Sequence, residues 1–197
     1  MASVIFANLP SSKHRHVTLN DILSSCPRLV YLRYTLNKPQ LTLVDAIREA
    51  GKEPILRALE RAGWQVKVPY IDTIAGLEIR DVVDALKGRR VAVVTVGRPD
   101  SLLLSKLSAF IALLNVEVGY LIFANPRSGD IGVKRQQLSH VQKRETLELL
   151  KRRAELLATY LHAHRLPPRV PTPLCPHCPL GDICKALKVM ENVSRAP

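Results

Sequence analysis

The chain has 197 residues, which is enough for one core-bearing domain and a small appendage. Hydrophobic residues make up 47% and charged residues 23%, the composition of an ordinary globular protein rather than a disordered or fibrous one. The 29 Lys and Arg residues outnumber the 17 acidic residues, so the net charge is +12. A field of that sign attracts nucleic acid, and the alternative is a basic, well-solvated surface without such a partner.

The sequence lacks a segment typical of a membrane span. The most apolar stretch, residues 109–124, contains Asn115 and Glu117 and is shorter than the roughly 20 apolar residues that a bilayer requires. Residues 1–13 lack the basic flank and long apolar core of a signal peptide. We therefore predict no membrane partner and a cytoplasmic location, where four cysteines are more often metal ligands than two disulfides.

The first predicted helix begins near Asn20 and Asp21, whose side chains favour the N-terminal cap position, and it runs to Tyr34. Cys26 lies inside this segment. Pro27 has no backbone N–H to continue the helix, so it must bend or interrupt the segment at that point.

Two further helices are predicted before the first strand. Thr42 and Asp45 resemble a capping box that begins the first of these helices, and Gly51 ends it. Pro54 suits the first position of the second helix, which ends at Gly63.

Predicted strands follow this helical region. Residues 64–70 alternate between apolar and polar side chains, and residues 74–86 form a second strand that turns at Lys87 and Gly88. Residues 91–96 are β-branched except for Ala92, and such a run is typical of a strand buried on both faces.

A helix over residues 101–114 and an apolar strand over residues 118–124 come next. A strand, a helix and a strand in this order predict a crossover unit and an α/β fold class. A polar segment through Arg127 and Lys134 then leads to a long helix over roughly residues 139–164.

A proline-rich linker, residues 167–176, separates the long helix from a short cysteine-bearing tail. We accordingly divide the chain into a domain of residues 1–166, which includes the N-terminal helix that carries Cys26, and a C-terminal tail of residues 167–197.

The tail holds Cys175, Cys178 and Cys184 in a C-x2-C-x5-C pattern, and Cys26 lies far upstream. Four thiolates suit an iron–sulfur cluster or a tetrahedral zinc ion, and either would join the two ends of the chain. Zinc sites more often consist of two C-x2-C pairs, so the lone distant cysteine favours the cluster. His177 is an alternative ligand, and structural or free thiols are the remaining interpretation.

The residues around these cysteines resemble a known family. The run Cys26-Pro27-Arg28 with Tyr31 after it, together with the terminal C-x2-C-P-x-G-D-x-C, is similar to the Cas-four family of CRISPR-associated, RecB-like exonucleases. The resemblance covers residues 20–185. It implies a 4Fe–4S cluster on the four cysteines, which would tie the N-terminal helix to the C-terminal tail. It also implies a PD-(D/E)xK nuclease fold, a mixed sheet flanked by helices.

The same resemblance implies where a catalytic site should lie. The family binds Mg²⁺ or Mn²⁺ with an Asp on the second strand and a Glu-x-Lys on the next, and it places a Gln and a Tyr on the crossover helix. Asp84 matches the Asp, but Thr95 and Gly97 stand where Glu and Lys belong. Lys106 and Phe110 replace the Gln and the Tyr. Because neither Thr nor Gly supplies the missing charges, we predict that catalysis has been lost and binding kept.

The alternative is an active exonuclease with a displaced metal site around Asp84. That site would be built from a subset of four acidic residues, Glu78, Asp81, Asp84 and Asp100. Strand alternation places Asp81 on the opposite face from Asp84 and Glu78, so at most a subset converges. Mg²⁺ or Mn²⁺ would be a cofactor only in that case.

Basic side chains flank the predicted site: Arg89, Arg90, Arg98 and Lys106. They are candidates for contacts with the phosphate backbone of DNA, which need positive charge without discrimination between bases. A solvated basic surface is the alternative for these residues. Aromatic residues are only 5% of the chain, so base stacking on an exposed platform is not indicated.

We therefore predict an iron–sulfur DNA-binding protein that is catalytically inactive and acts in CRISPR adaptation or a related DNA process. Its candidate partners are DNA and the proteins of CRISPR adaptation or of another DNA-processing assembly. Two alternatives stay open: the active exonuclease described above, and an iron–sulfur subunit of another DNA machine that does not itself contact DNA.

Overall fold

The computed structural model describes residues 16–36, 43–172 and 175–193 of the chain. These residues form two compact units. The sheet unit comprises residues 16–23 and 43–158, and the cysteine unit comprises residues 24–36, 159–172 and 175–193. The domain boundary predicted at residues 166 and 167 stays a prediction.

Five strands of the sheet unit form one sheet, with the same order in space as in the chain. They are β1 (Gln65–Ile74), β2 (Leu77–Lys87), β3 (Arg90–Val96), β4 (Val118–Ala124) and β5 (Ile131–Gln136). The pair β3 and β4 is parallel, and the other neighbouring pairs are antiparallel. The sheet is therefore mixed, as predicted.

The helices are α1 (Leu19–Leu23), α2 (Pro27–Thr35), α3 (Leu43–Arg61), α4 (Ser101–Leu113), α5 (His140–His162) and α6 (Gly181–Val193), with a short 3-10 turn at Cys175–His177. The helix α4 connects the parallel strands β3 and β4 and packs against both, which confirms the predicted crossover unit. Within the part of the chain that the structure describes, no helix has the length and apolar character needed to cross a bilayer.

The helices α3 and α4 cover opposite faces of the sheet. Ile55 of α3 lies in a core cluster with Val94 and Ile122. Gly119 lies three positions before Ile122 on β4 and therefore on the other face, beneath α4. A Cβ atom built on Gly119 would lie 2.6 Å from Cδ1 of Ile111, so the absence of a side chain lets α4 approach the sheet closely.

The structure corrects the prediction of two separate helices before the sheet. The helix α3 continues through Gly51 and Pro54. A Cβ atom on Gly51 would lie 2.9 Å from Cγ2 of Val96, so this glycine is a point of close packing on β3 rather than a helix end. Packing of the helix on the sheet outweighs the cost of one glycine and one lost hydrogen bond at proline. The predicted capping box of the Thr42 and Asp45 side chains lies outside the described residues.

The turn between the first two strands also differs from the prediction. The strand β1 continues past residue 70 to Ile74, and Ala75 and Gly76 form the turn with φ of 52° and 77°. Asp72 interrupts the apolar alternation, but its carboxylate accepts a hydrogen bond from the Tyr70 hydroxyl at 2.7 Å. The strand therefore continues through Asp72, at which the apolar alternation of the sequence stops.

The strand β5 was not predicted from the sequence. Its apolar residues Ile131 and Val133 are 60% and 58% exposed, so the segment lacks the buried face on which a strand prediction depends. The ladder with β4 supplies its hydrogen bonds. The ring of Phe123 covers Gly132, and an added Cβ atom on Gly132 would clash with the ring. An aromatic side chain that covers a glycine on a neighbouring strand stabilises such an edge.

In the cysteine unit, α2 and the C-terminal segment share a small apolar core. Tyr31 and Leu32 of α2 are almost completely buried and pack with Leu180, which directly precedes α6. Cys178 lies against this cluster. Apolar packing thus holds the residues after Cys26 and the residues around Cys178 in one unit.

Candidate functional site

The four cysteines all belong to the cysteine unit. Cys26 directly precedes α2, Cys175 begins the 3-10 turn and Cys178 follows it, and Cys184 lies in the first turn of α6. Each cysteine is partly exposed, and none of them forms a disulfide.

Cys26 is the N-terminal cap of α2. Its backbone is extended, and its Sγ accepts a hydrogen bond from the backbone N–H of Leu29 at 3.4 Å. Pro27 takes the first helical position, where a missing N–H costs nothing because that donor has no partner within the helix. The predicted interruption at Pro27 is confirmed, and it places Cys26 where free backbone N–H groups are available to a sulfur ligand.

Cys175 has hydrogen bonds from Thr172. The backbone N–H of Thr172 donates to Cys175 Sγ at 3.3 Å, and the Thr172 hydroxyl oxygen lies 3.6 Å from the same sulfur. These contacts, the backbone hydrogen bond above all, lower the pKa of Cys175. The thiolate is the form of cysteine that binds a metal.

The donor set suits a four-thiolate centre by its chemistry. Cysteine thiolates that accept N–H···S hydrogen bonds are typical ligands of iron–sulfur clusters, and thiolates also suit zinc. Within the described ranges, however, no group of three or more Cys, His, Asp or Glu side chains is arranged to hold a metal ion. The side chain of His177, the alternative ligand, lies outside what the structure describes.

Asp84 lies at the point where β2 begins to pair with β3. That pairing runs from Ala85 opposite Ala92 to the turn between the strands, whereas β3 pairs with β4 along its whole length. The Oδ2 atom of Asp84 accepts a hydrogen bond from the backbone N–H of Val94 at 2.7 Å. The carboxylate therefore satisfies a backbone donor of β3 just beyond its last pair with β2.

Lys52 of α3 joins Asp84 to a second acidic residue. Its Nζ lies 3.4 Å from Oδ1 of Asp84 and 2.7 Å from Oε1 of Glu49. The side chains of Lys52 and Asp84 are 14% and 15% exposed, and that of Glu49 is more open to solvent. We refer to Glu49, Lys52, Asp84 and the N–H of Val94 as the Asp84 site.

Burial and charge act in opposite directions within the Asp84 site. Burial raises the pKa of Asp84 above its ordinary value, although Lys52 and the N–H of Val94 oppose the rise. Burial acts to lower the pKa of Lys52, but the charge of Asp84 and the contacts with Glu49 outweigh it, so the pKa is raised. Lys52 is therefore held in its charged form.

Glu49 and Lys52 were not predicted as site residues from the sequence. Their spacing of three residues on a helix is the signal that they can pair. That spacing is common on solvated helix surfaces and by itself says nothing about function. The contact with Asp84 depends on how α3 packs against the sheet, which no local pattern reveals.

The other predicted catalytic positions carry no metal-binding charge. Thr95 is buried on β3, and Gly97 follows the strand with a φ of 100°. Lys106 lies with its Nζ 2.8 Å from Oδ1 of Asp81 and 5.5 Å from the centre of the Phe110 ring. The lysine that replaces the expected Gln is thus paired with an aspartate on β2.

The acidic residues of the alternative metal site have separate partners in the described structure. Asp81 pairs with the lysine of α4, whereas Asp84 pairs with Lys52 of α3. Glu78 pairs with Arg80 and contacts His16 at the surface. Asp100 caps α4 through its side chain. Asp81 and Asp84 contact different helices, in line with the strand alternation on which the sequence analysis relied.

The four basic residues predicted to contact DNA do not form one patch. Arg89 and Arg90 lie at the start of β3, whereas Arg98 lies beyond its end. A strand of this length separates the two groups by roughly 20 Å. The side chain of Lys106 is largely buried and is paired with Asp81. Contact between these residues and DNA stays a prediction.

Arg89 lines an open cavity of about 470 Å³ at the start of α5. His140 and Lys143 of α5 line the same cavity, as does Glu117, whose Oε1 lies 3.1 Å from Nε of Arg89. Lys143 donates a hydrogen bond to the side-chain oxygen of Asn115 at 3.1 Å. The cavity thus brings together basic side chains that are far apart in the sequence.

Comparison with known proteins identifies the fold. No protein-family model matches the sequence, and no curated protein matches it. The structure of SSO0001 is similar to that of this chain with a TM-score of 0.56, over 93% of this chain and 96% of that one, at 17% sequence identity. The alkaline exonuclease LHK-Exo from Laribacter hongkongensis is similar with a TM-score of 0.55, over 76% and 91% of the two chains, at 14% identity. Its complex with dAMP gives the same TM-score and coverage at 12% identity.

The fold is nuclease-like. This agrees with the α/β fold class and mixed sheet expected from the sequence. At these sequence identities the similarity establishes the fold alone, because one fold can carry many functions.

Proposed function

We propose that the chain is a Cas-four-like iron–sulfur protein that binds DNA through a nuclease-like fold without cutting it, in CRISPR adaptation or a related DNA process. The observation that carries this proposal is the state of Asp84. In a nuclease-like fold, the one acidic residue at the expected catalytic position already has both carboxylate oxygens engaged, one by Lys52 and one by Val94.

The loss of catalysis follows from the chemistry of phosphodiester hydrolysis. A metal-dependent nuclease needs carboxylates that bind a divalent ion and a cation near the attacking water. Thr95 and Gly97 supply neither of these charges. Lys106 cannot replace them without leaving Asp81, which holds it at 2.8 Å. Binding needs none of these groups, so it can persist after catalysis is lost.

The iron–sulfur part of the proposal is supported by the placement of the thiols. Cys26, Cys175, Cys178 and Cys184 belong to one compact unit and form no disulfide. These four residues would hold the cluster. When bound, a cluster supplies covalent iron–thiolate links between α2 and the C-terminal segment, in addition to their shared apolar core.

The DNA-binding part of the proposal is supported by charge. The net charge of +12 favours association with a polyanion. The cavity lined by Arg89, His140 and Lys143 offers several basic groups to one phosphate segment. These groups carry no sequence information, so the proposal is for binding that depends on the DNA backbone rather than on its bases.

The experiment is a salt titration of DNA binding with a cleavage control. The affinity for a fluorescent DNA oligonucleotide should fall linearly on a log–log plot against salt concentration. The double variant Arg89→Gln/Lys143→Gln should reduce the slope by about 2, since each phosphate contact contributes about 0.9. Lys185→Gln serves as control, because Lys185 is an exposed lysine of the cysteine unit that pairs with Asp182. It should leave the slope nearly unchanged.

The same oligonucleotide, incubated with Mn²⁺, tests the loss of catalysis. The wild type and Asp84→Ala should both leave it intact. Metal-dependent cutting by the wild type that Asp84→Ala abolishes would show that the chain is an active exonuclease. No measurable binding at low salt would favour the third interpretation, an iron–sulfur subunit that does not contact DNA.

A further inference from the structure

The Asp84 site contains a cation of the chain itself between two acidic side chains. One ammonium group, Nζ of Lys52, lies between two carboxylates from different elements. Glu49 comes from α3 and Asp84 from β2. The lysine side chain is only 14% exposed, so the charge sits at the edge of the core rather than on a solvated helix surface.

Two carboxylates that face one point are also a common way for a protein to bind a divalent cation. Mg²⁺ and Mn²⁺ are commonly bound by one or two protein carboxylates, with water completing the coordination. At the Asp84 site the corresponding oxygens of Glu49 and Asp84 are used by Lys52. The second oxygen of Asp84 is used by the N–H of Val94 at 2.7 Å. The residues present therefore do not fit a divalent ion that binds without displacing the lysine.

We propose that Lys52 is a built-in cation that replaces a divalent metal ion at the Asp84 site, holding Glu49 and Asp84 together and excluding metal. This inference deepens the proposed function, because it gives the loss of catalysis a second physical cause besides Thr95 and Gly97. It makes no use of the iron–sulfur cluster or of DNA. Removal of the ammonium group leaves two neighbouring carboxylates without a counter-charge, and a divalent ion can then supply it.

The burial of Asp84 explains why a counter-charge is required. Burial raises the pKa of this carboxyl, and Lys52 opposes the rise. A carboxylate this far from solvent keeps its charge only with an opposite charge close by. In the wild type the chain supplies that charge itself.

The test is direct Mn²⁺ binding, measured by loss of the electron paramagnetic resonance signal of free Mn²⁺ on titration into the intact protein as purified. Lys52→Met should gain one Mn²⁺ site, at least about tenfold tighter than any binding by the wild type. Lys52→Met/Asp84→Asn should lose that site again. Lys67→Met is the matched control, since it removes the same charge from a lysine that pairs with the exposed Glu53 at 2.7 Å. This control should bind Mn²⁺ as the wild type does.

Two results would overturn the inference. The first is Mn²⁺ binding by Lys52→Met that does not exceed binding by Lys67→Met. The second needs no lysine variant: if Asp84→Asn binds Mn²⁺ more weakly than the wild type does, then metal already reaches Asp84 and Lys52 does not exclude it.

Should Lys52→Met fail to fold, Lys52→Gln replaces it with the same expected gain, because the amide keeps hydrogen bonds but carries no charge. Failure of DNA binding or of iron binding would leave these Mn²⁺ results unaffected, so the two proposals fail separately.

Discussion

At the scale of single residues, the Asp84 site shows how one lysine can neutralise two acidic side chains that would otherwise be interpreted as metal ligands. Lys52 Nζ contacts both Glu49 and Asp84, and the side chains of Lys52 and Asp84 are largely buried. Asp84 was predicted from its position on the second strand, whereas its partners were not. The position of an acidic residue on a strand can be predicted from the sequence pattern. The group that neutralises Asp84 cannot, because it depends on how α3 packs against the sheet.

Removal of the Lys52 charge should lower the stability of the protein. Lys52→Met keeps the apolar stem and removes the charge, so at pH 7 it leaves Asp84 buried without its closest counter-charge. We expect the free energy of unfolding to fall by about 1–3 kcal/mol, less than for a fully buried pair because both groups keep some solvent contact. Urea unfolding followed by circular dichroism measures this loss.

The pH range of that loss follows from the two pKa shifts. The pKa of Lys52 is raised, so the stability it contributes is present below the ordinary lysine pKa and is lost as the pH rises through its folded-state value. The pKa of Asp84 is also raised, so its ionisation costs stability as the pH rises through its folded-state value. The effect of Lys52→Met should therefore be largest between these two folded-state pKa values. A loss that stays the same from pH 3 to pH 7 would contradict this account.

At the scale of elements, the sequence predicted what depends on local patterns and missed what depends on packing. The crossover of α4 between β3 and β4 was predicted because the two apolar strands and the helix between them have strong local signals. Gly51 was taken as a helix end, yet it lies where α3 contacts Val96. The strand β5 was missed because its apolar residues face solvent and its pairing with β4, not a periodic pattern, makes it a strand.

Cys26 provides a test at this scale because it has a structural role besides its proposed one. Its Sγ caps α2 through the N–H of Leu29. Serine can make the same cap, whereas alanine cannot and should cost the apo protein about 1 kcal/mol. Neither side chain supplies a thiolate to iron. We therefore expect Cys26→Ser and Cys26→Ala to lose iron to the same extent, while only Cys26→Ala lowers the melting temperature of chelator-treated protein.

Iron analysis and thermal melting of the wild type and both variants check this expectation. Iron at the wild-type level in either variant would show that Cys26 is only a cap. Equal melting temperatures for the two variants after chelation would show that the cap contributes nothing.

At the scale of the whole molecule, the nuclease-like fold was predicted from element order and from the resemblance of its cysteine pattern, and the structural neighbours agree with that fold. All four cysteines belong to one compact unit. The sequence predicted that they meet, but not which contact groups them, since Cys26 lies far from the others along the chain. That grouping arises because Tyr31 and Leu32 pack with Leu180, a long-range apolar contact without a local signature.

The most direct test of the whole account is the metal content of protein purified without oxygen. A 4Fe–4S cluster on the four cysteines predicts brown protein with about four iron atoms and four acid-labile sulfides per chain. Cys184→Ser, expressed and purified in parallel, should lose most of both. Colourless protein that contains one zinc ion per chain and no sulfide would contradict the account.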